Sequence, residues 1–75
     1  MRISFDTQAD AAYISLTETV LDPGRDSIPL EVPRSVGEAK VIMDWKDRRI
    51  VGLEVLDAAS LLHPDLLALA EPYNP

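Results

Sequence analysis

Carboxylates are the one reactive group this chain holds in quantity. There are 13 Asp+Glu against 7 Lys+Arg, with a single His and no Cys in 75 residues. Four of the acids stand in close pairs. Asp6 and Asp10 flank one short segment, and Asp44 and Asp47 flank another. Paired carboxylates can hold a hard cation or move a proton as general acid and base. Asp at a turn more commonly accepts hydrogen bonds from its own backbone, and that reading is the stronger for both pairs. Asp44-Trp45-Lys46-Asp47 is also too short and too poor in ligands for a calcium loop. Glu54 is a different case, because it interrupts the apolar run from Val51 to Leu56 and stands two residues after Gly52. Such an acid can mark a pocket where the backbone is closely approached. It can equally pair with Lys40 on a solvated face, or lie opposite an arginine in a subunit interface.

The remaining candidates are weaker. His63 precedes Pro64 at a helical junction and reads as a cap or a surface residue. Ser60 lacks a nucleophile-elbow context, and there is no phosphate loop or dinucleotide fingerprint. No catalytic, metal-binding or cofactor-binding residue is therefore assigned, and the expectation is a protein that is not an enzyme. Trp45 reads as a binding anchor or as a cap on the apolar face of a sheet. Lys46, Arg48 and Arg49 make a small basic spot beside it. The net charge of −6 weighs against nucleic acid as a partner.

Alternating elements must position these groups. Met1, Ile3 and Phe5 fall on one face of residues 1–6, and Ala12, Ile14 and Leu16 share a face in the next run. Period two predicts strands, and residues 2–17 read as an antiparallel hairpin. At its turn, Asp6 can accept from the N–H two or three residues on. Residues 18–38 are the least regular, with a turn signal at Asp22-Pro23-Gly24-Arg25. Ile28, Leu30 and Val32 alternate with Pro29, Glu31 and Pro33, which allows only an edge strand. Residues 39–56 read as a second hairpin with a three-residue turn at Lys46-Asp47-Arg48. That register sets Trp45 opposite Arg49, Met43 opposite Val51, Val41 opposite Leu53 and Ala39 opposite Val55. Its other face sets Asp44 opposite Ile50, Ile42 opposite Gly52 and Lys40 opposite Glu54. Arg48 then takes the left-handed position, at a strain of about 1 kcal/mol. Asp57 reads as an N-cap, and Pro64 as the first residue of a second helical turn. Leu62, Leu66 and Leu69 share one face of this C-terminal piece.

The fold expected is α+β: a small antiparallel sheet of two β-hairpins, with four or five strands and a short C-terminal helical segment packed on it. Residues 1–71 form one domain, and 72–75 a tail. A core of this size rarely stabilises by more than ~3–5 kcal/mol, and neither disulfides nor zinc can supplement it. Oligomerisation is the remaining device. Ile50 and Leu56 are left over once Val51, Leu53 and Val55 are assigned to the core. The candidate interface is accordingly Ile50, Leu56, Trp45 and Glu54. No charged-then-apolar leader and no apolar run near 18 residues is seen, so a cytoplasmic location without membrane contact is expected.

Two blocks carry a resemblance. The first is Met1-Arg2-Ile3-Ser4-Phe5-Asp6 through Ala9-Asp10-Ala11-Ala12-Tyr13-Ile14-Ser15-Leu16. The second is Val41-Ile42-Met43-Asp44-Trp45 followed by Arg49-Ile50-Val51-Gly52-Leu53-Glu54-Val55-Leu56-Asp57-Ala58-Ala59-Ser60. Together, over roughly residues 1–60, they resemble the domain-of-unknown-function family numbered 2283. The chain departs from that pattern at Arg48, where Gly is usual, in the proline-rich segment 18–38, and from Leu61 on. The resemblance implies a small α+β domain built on antiparallel hairpins, with no reaction, cofactor or catalytic residue attached. The function expected is a non-catalytic, homodimeric structural or interaction module. The alternative is an antitoxin-like protein that neutralises a small basic toxin, and a metal-binding or hydrolytic role for Asp6, Asp10, Asp44 and Glu54 ranks below both.

Overall fold

A computed structural model describes residues 1–18, 24–38 and 40–72. The elements are β1 (Arg2–Asp6), β2 (Ala11–Ser15), β3 (Asp26–Pro29), β4 (Val41–Lys46), β5 (Arg49–Leu56), α1 (Ala58–Leu61), α2 (Pro64–Leu67) and β6 (Glu71–Pro72). They form one sheet in the order β3-β4-β5-β2-β1-β6. The first five strands in chain order pair antiparallel, and β6 adds a short parallel edge against β1. The fold class is α+β, as the alternating runs imply.

Strand alternation divides the side chains between two faces. Apolar residues line up across the strands on the first face. Ile28, Met43, Leu53, Ile14 and Ile3 form one cross-strand row. Val41, Val55, Ala12 and Phe5 form the next. α1 packs on this second row, where Ala58, Leu61 and Leu62 meet Ala12 and Val55. The second face carries Ser4, Tyr13, Glu54 and Ile42 in one row, and Ser15, Gly52, Asp44 and Ser27 in another.

The first hairpin forms as the alternation predicts, with Ile3 opposite Ile14 and Phe5 opposite Ala12. Its turn is closed as expected. The Asp6 carboxylate accepts from the N–H of Gln8 at 3.0 Å and of Ala9 at 3.3 Å. β3 is an edge strand and ends at Pro29, while Pro33 lies beyond it. Asp22 and Pro23 of the expected turn lie outside the described residues, as do Ala39 and residues 73–75. Pro72, expected to open the tail, pairs with β1 beside Glu71 and extends the sheet.

The second hairpin corrects the expected register. Trp45 faces Ile50 rather than Arg49, Met43 faces Leu53, Val41 faces Val55, Asp44 faces Gly52 and Ile42 faces Glu54. Two local features cause the change. The turn has two residues, Asp47 and Arg48, both left-handed at φ 50 and φ 68. That handedness matches strand twist, which is why two-residue hairpin turns favour it. A bulge between Asp44 and Trp45 then leaves Val51 without a partner on β4. Arg48→Gly is expected to raise stability by about 1 kcal/mol, because glycine adopts a positive φ without a Cβ penalty. Thermal unfolding monitored by circular dichroism checks it; an unchanged or lower midpoint refutes the strain at Arg48.

Helix capping also differs from the expectation. Asp57 occupies the N-cap of α1 at φ 52, but its side chain makes no capping bond. Asp10 supplies it from the first hairpin turn. Its backbone oxygen accepts from Ala58 N–H at 3.0 Å, and its carboxylate from Ala59 N–H at 2.9 Å. A cap of this kind contributes about 1 kcal/mol, and here it ties the helix to the sheet. Asp57 instead holds Lys40, with 3.2 Å between Nζ and Oδ2. His63 caps α2, its Nδ1 accepting from Asp65 N–H at 3.1 Å, with Pro64 opening the helix as expected. Leu69, expected on the packed stripe, is exposed.

Candidate functional site

The second sheet face holds a polar cluster around Asp44. Position 44 is the last before the bulge, and alternation turns its side chain away from the helices. The residue is 5% exposed, which requires partners for a carboxylate. It has three. Tyr13 O–H donates to Oδ2 at 2.8 Å, and Ser27 Oγ donates to Oδ1 at 2.7 Å. The Arg25 guanidinium lies 3.8 Å from Oδ2. Arg25 also donates to the Tyr13 hydroxyl at 3.0 Å, and its Cζ stands 5.8 Å from the ring centroid. That separation is within cation–π range. β2, β3 and β4 thus each contribute one member of a closed network.

Gly52 makes the network possible. Tyr13 belongs to the row of Glu54, one step along the sheet from Asp44, and must lean across β5 to reach it. Its ring passes directly over Gly52. A Cβ there would fall 2.6 Å from Tyr13 Cζ, inside the ring's van der Waals surface. The close backbone approach that a mid-strand glycine suggests is therefore made, and an aromatic ring makes it.

Burial first, then the bond to Asp44 and its charge, push the Tyr13 phenol above its ordinary value of 10.0, while Arg25 acts in the opposite direction. The folded state therefore favours the neutral phenol. The stability this contributes is fully present below pH ~10 and is lost as pH rises through the folded-state value. Absorbance titration of tyrosinate should show one of the two tyrosines ionising late, and Tyr13→Phe should flatten the alkaline limb of stability against pH. Two tyrosines titrating together at the ordinary value refute this.

The network forms one wall of a concavity of about 550 Å³, whose lining includes Asp6, Tyr13, Arg25, Asp44 and Glu54. A space of this size admits a small organic molecule. Glu54 is half-buried between Tyr13 and Ile42 in the cross-strand row. The expected partner Lys40 is engaged elsewhere, by Asp57 and by Glu38 at 3.8 Å. Glu54 lines the concavity and is not paired with Lys40. The candidate interface residues are divided between faces: Trp45 and Ile50 face each other on the helix side, while Glu54 and Leu56 lie on the Tyr13 side.

The acids part company. Asp6 and Asp47 are turn residues, as their spacing suggests. Asp44 is not; it bonds side chains of other strands rather than its own backbone, because β4 lies inside the sheet between β3 and β5. Tyr13, Arg25 and Ser27 escape a sequence reading altogether, since none of them forms a motif with Asp44. Gly52 is the one local signal that leads to them. Among the described residues no group of three or more His, Asp or Glu is placed to hold a metal ion.

A short helix, α1, on one face of a mostly antiparallel sheet, and a self-bonded polar cluster in a groove on the other, define a small α+β fold. The chain belongs to the family described as Protein of unknown function (DUF2283), whose model matches residues 2–58 of the 75. The Asp44 network and Glu54 lie inside that span, and α2 and β6 beyond it. No curated protein and no solved structure matches the chain.

Proposed function

We propose that this is a non-catalytic cytoplasmic module that works as a homodimer, joined through the helix side of its sheet. One observation carries the reading: α1 covers only one end of an apolar sheet face. At the other end Leu16 and Ile50 are each 43% exposed and Ile28 is 51% exposed. Met43, Trp45 and Leu53 lie partly buried in the same rows. The small buried set of Ile3, Ala12, Ile14, Val51, Val55 and Ala58 points the same way. Burying each exposed Ile or Leu against a second copy would contribute roughly 1.5–3 kcal/mol. The Asp44 network fits a structural role, since both its carboxylate oxygens are bonded within the chain. Among the described residues no helix is long and apolar enough to cross a membrane.

Sedimentation velocity tests the dimer. A dimer at micromolar concentration is expected, and Ile50→Glu should convert it to a folded monomer. A wild-type monomer at that concentration overturns the reading. The net charge of −6 favours a second reading, an antitoxin-like module that binds a small basic protein by charge complementarity. Co-expression with a small basic protein encoded beside it should then yield a stoichiometric complex, and separate elution refutes it.

A further inference from the structure

We propose that the bare end of the apolar sheet face is covered by α1 of a second copy, the two sheets being stacked with opposite ends together. The inference rests on the dimer proposed above, and it adds which element of each copy seats on the other. Shape and charge carry it independently.

The face is stepped along its strands. α1 rises over the row of Val41, Val55, Ala12 and Phe5, at the end of the sheet where β5 finishes. The other end is bare, and Met1, Leu16, Ile28 and Ile50 are exposed along it. Stacking like ends together would bring helix against helix and hold the bare strips about 20 Å apart, two helix diameters. Stacking opposite ends together sets each α1 on the partner's bare strip. A single helix layer of ~10 Å then fills the gap between the sheets. The outer side of α1 suits this place. Ala58 is its buried residue, whereas Ala59 and Ser60 are exposed and small enough to admit a second sheet closely.

Charge selects the same arrangement. The tip of the β4–β5 hairpin, at the bare end, carries Lys46, Arg48 and Arg49 against Asp47. Ion pairs among the described residues use other cations, Arg2, Arg25, Lys40 and His63, so the tip stays positive. At the opposite end, Asp6 and Asp10 flank the first hairpin turn and Asp57 precedes α1, with Lys40 beside it. Like-end stacking would press the positive tip against its own copy. Opposite-end stacking sets it over these carboxylates, which is the complementary choice.

Isotope-filtered NMR on the full chain tests it, using a dimer assembled from 13C-labelled and unlabelled copies. Contacts between copies are expected from the Ala59 methyl to the methyls of Leu16 and Ile50. Contacts of Leu16 or Ile50 with the same residue of the partner overturn the stacking, as do contacts confined to other surfaces or none at all in a dimer. Disulfide trapping gives a second measurement, because the chain has no Cys of its own. Mixed and oxidised, Leu16→Cys and Ser60→Cys chains should crosslink to each other, and neither should crosslink to itself. A self-crosslinked Leu16→Cys chain without the mixed product refutes the arrangement. Sedimentation of the unmodified chain separates the two proposals. A monomer removes the dimer and this contact together, while a dimer with the wrong contacts removes only the stacking.

Discussion

Asp44→Ala should destabilise the domain by about 3 kcal/mol, the loss expected when a buried, hydrogen-bonded charge is deleted and its partners remain. In a domain of this size that is a fall of roughly 12–24 °C in the midpoint of thermal unfolding. Tyr13 O–H and Ser27 Oγ would each lose an acceptor, and Arg25 its closest carboxylate. Asp44→Asn separates charge from hydrogen bonding. The amide can still bond Tyr13 and Ser27, but it no longer attracts the guanidinium. Its cost should be about half that of the alanine variant. A second readout excludes a general packing effect. The bond to Asp44 and its charge both raise the Tyr13 value, so deleting the carboxylate should move the late tyrosine titration back toward 10.0. If Asp44→Ala unfolds within a few degrees of the parent, the cluster is not what holds β2, β3 and β4 in place.

Gly52→Ala should cost about 2 kcal/mol, and here two physical effects predict opposite signs. Glycine weakens a strand interior, so propensity alone makes alanine stabilising by up to ~1 kcal/mol. Sterics predict the reverse, because the new Cβ would enter the Tyr13 ring. The ring cannot swing aside cheaply, since its hydroxyl bonds both Asp44 and Arg25. Overpacking of this kind typically costs about 1–3 kcal/mol. Tyr13→Ala in the same chain removes the obstacle. The double variant should therefore be more stable than the sum of the two singles by about 1 kcal/mol or more, measured by urea unfolding. An additive cycle, or a stabilising Gly52→Ala, sinks the account of why glycine stands in mid-strand.

Both predictions concern contacts far apart along the chain, and that distance explains what could be read from residues alone. Alternation in 1–6 and 11–16, the Asp6 turn, the His63 cap and Pro64 at a helix start all depend on neighbours within three positions. A periodicity or an Asx hydrogen bond needs nothing more distant, and each of these is present in the fold. The second hairpin shows where that reach ends. Pairing of apolar faces favoured one register, but the two-residue turn and the bulge displaced it. A bulge leaves little trace in the alternation, because it adds one residue to one strand and realigns everything beyond it. Asp10 was equally illegible as a cap, lying 49 positions from the N–H it bonds.

The opening carboxylates divide along the same line. Composition and spacing were enough to give the acidic balance and the α+β class, with Asp6 and Asp47 serving turns. Whether an acid is buried, paired or left facing a groove depends on which strands lie side by side. Strand order brings Tyr13 across Gly52 to Asp44, 31 positions away, and leaves Glu54 without a partner among the described residues. Charge is a property of a residue, but its energetic consequence is a property of the solvent and dipoles around it, and the packed sheet supplies those.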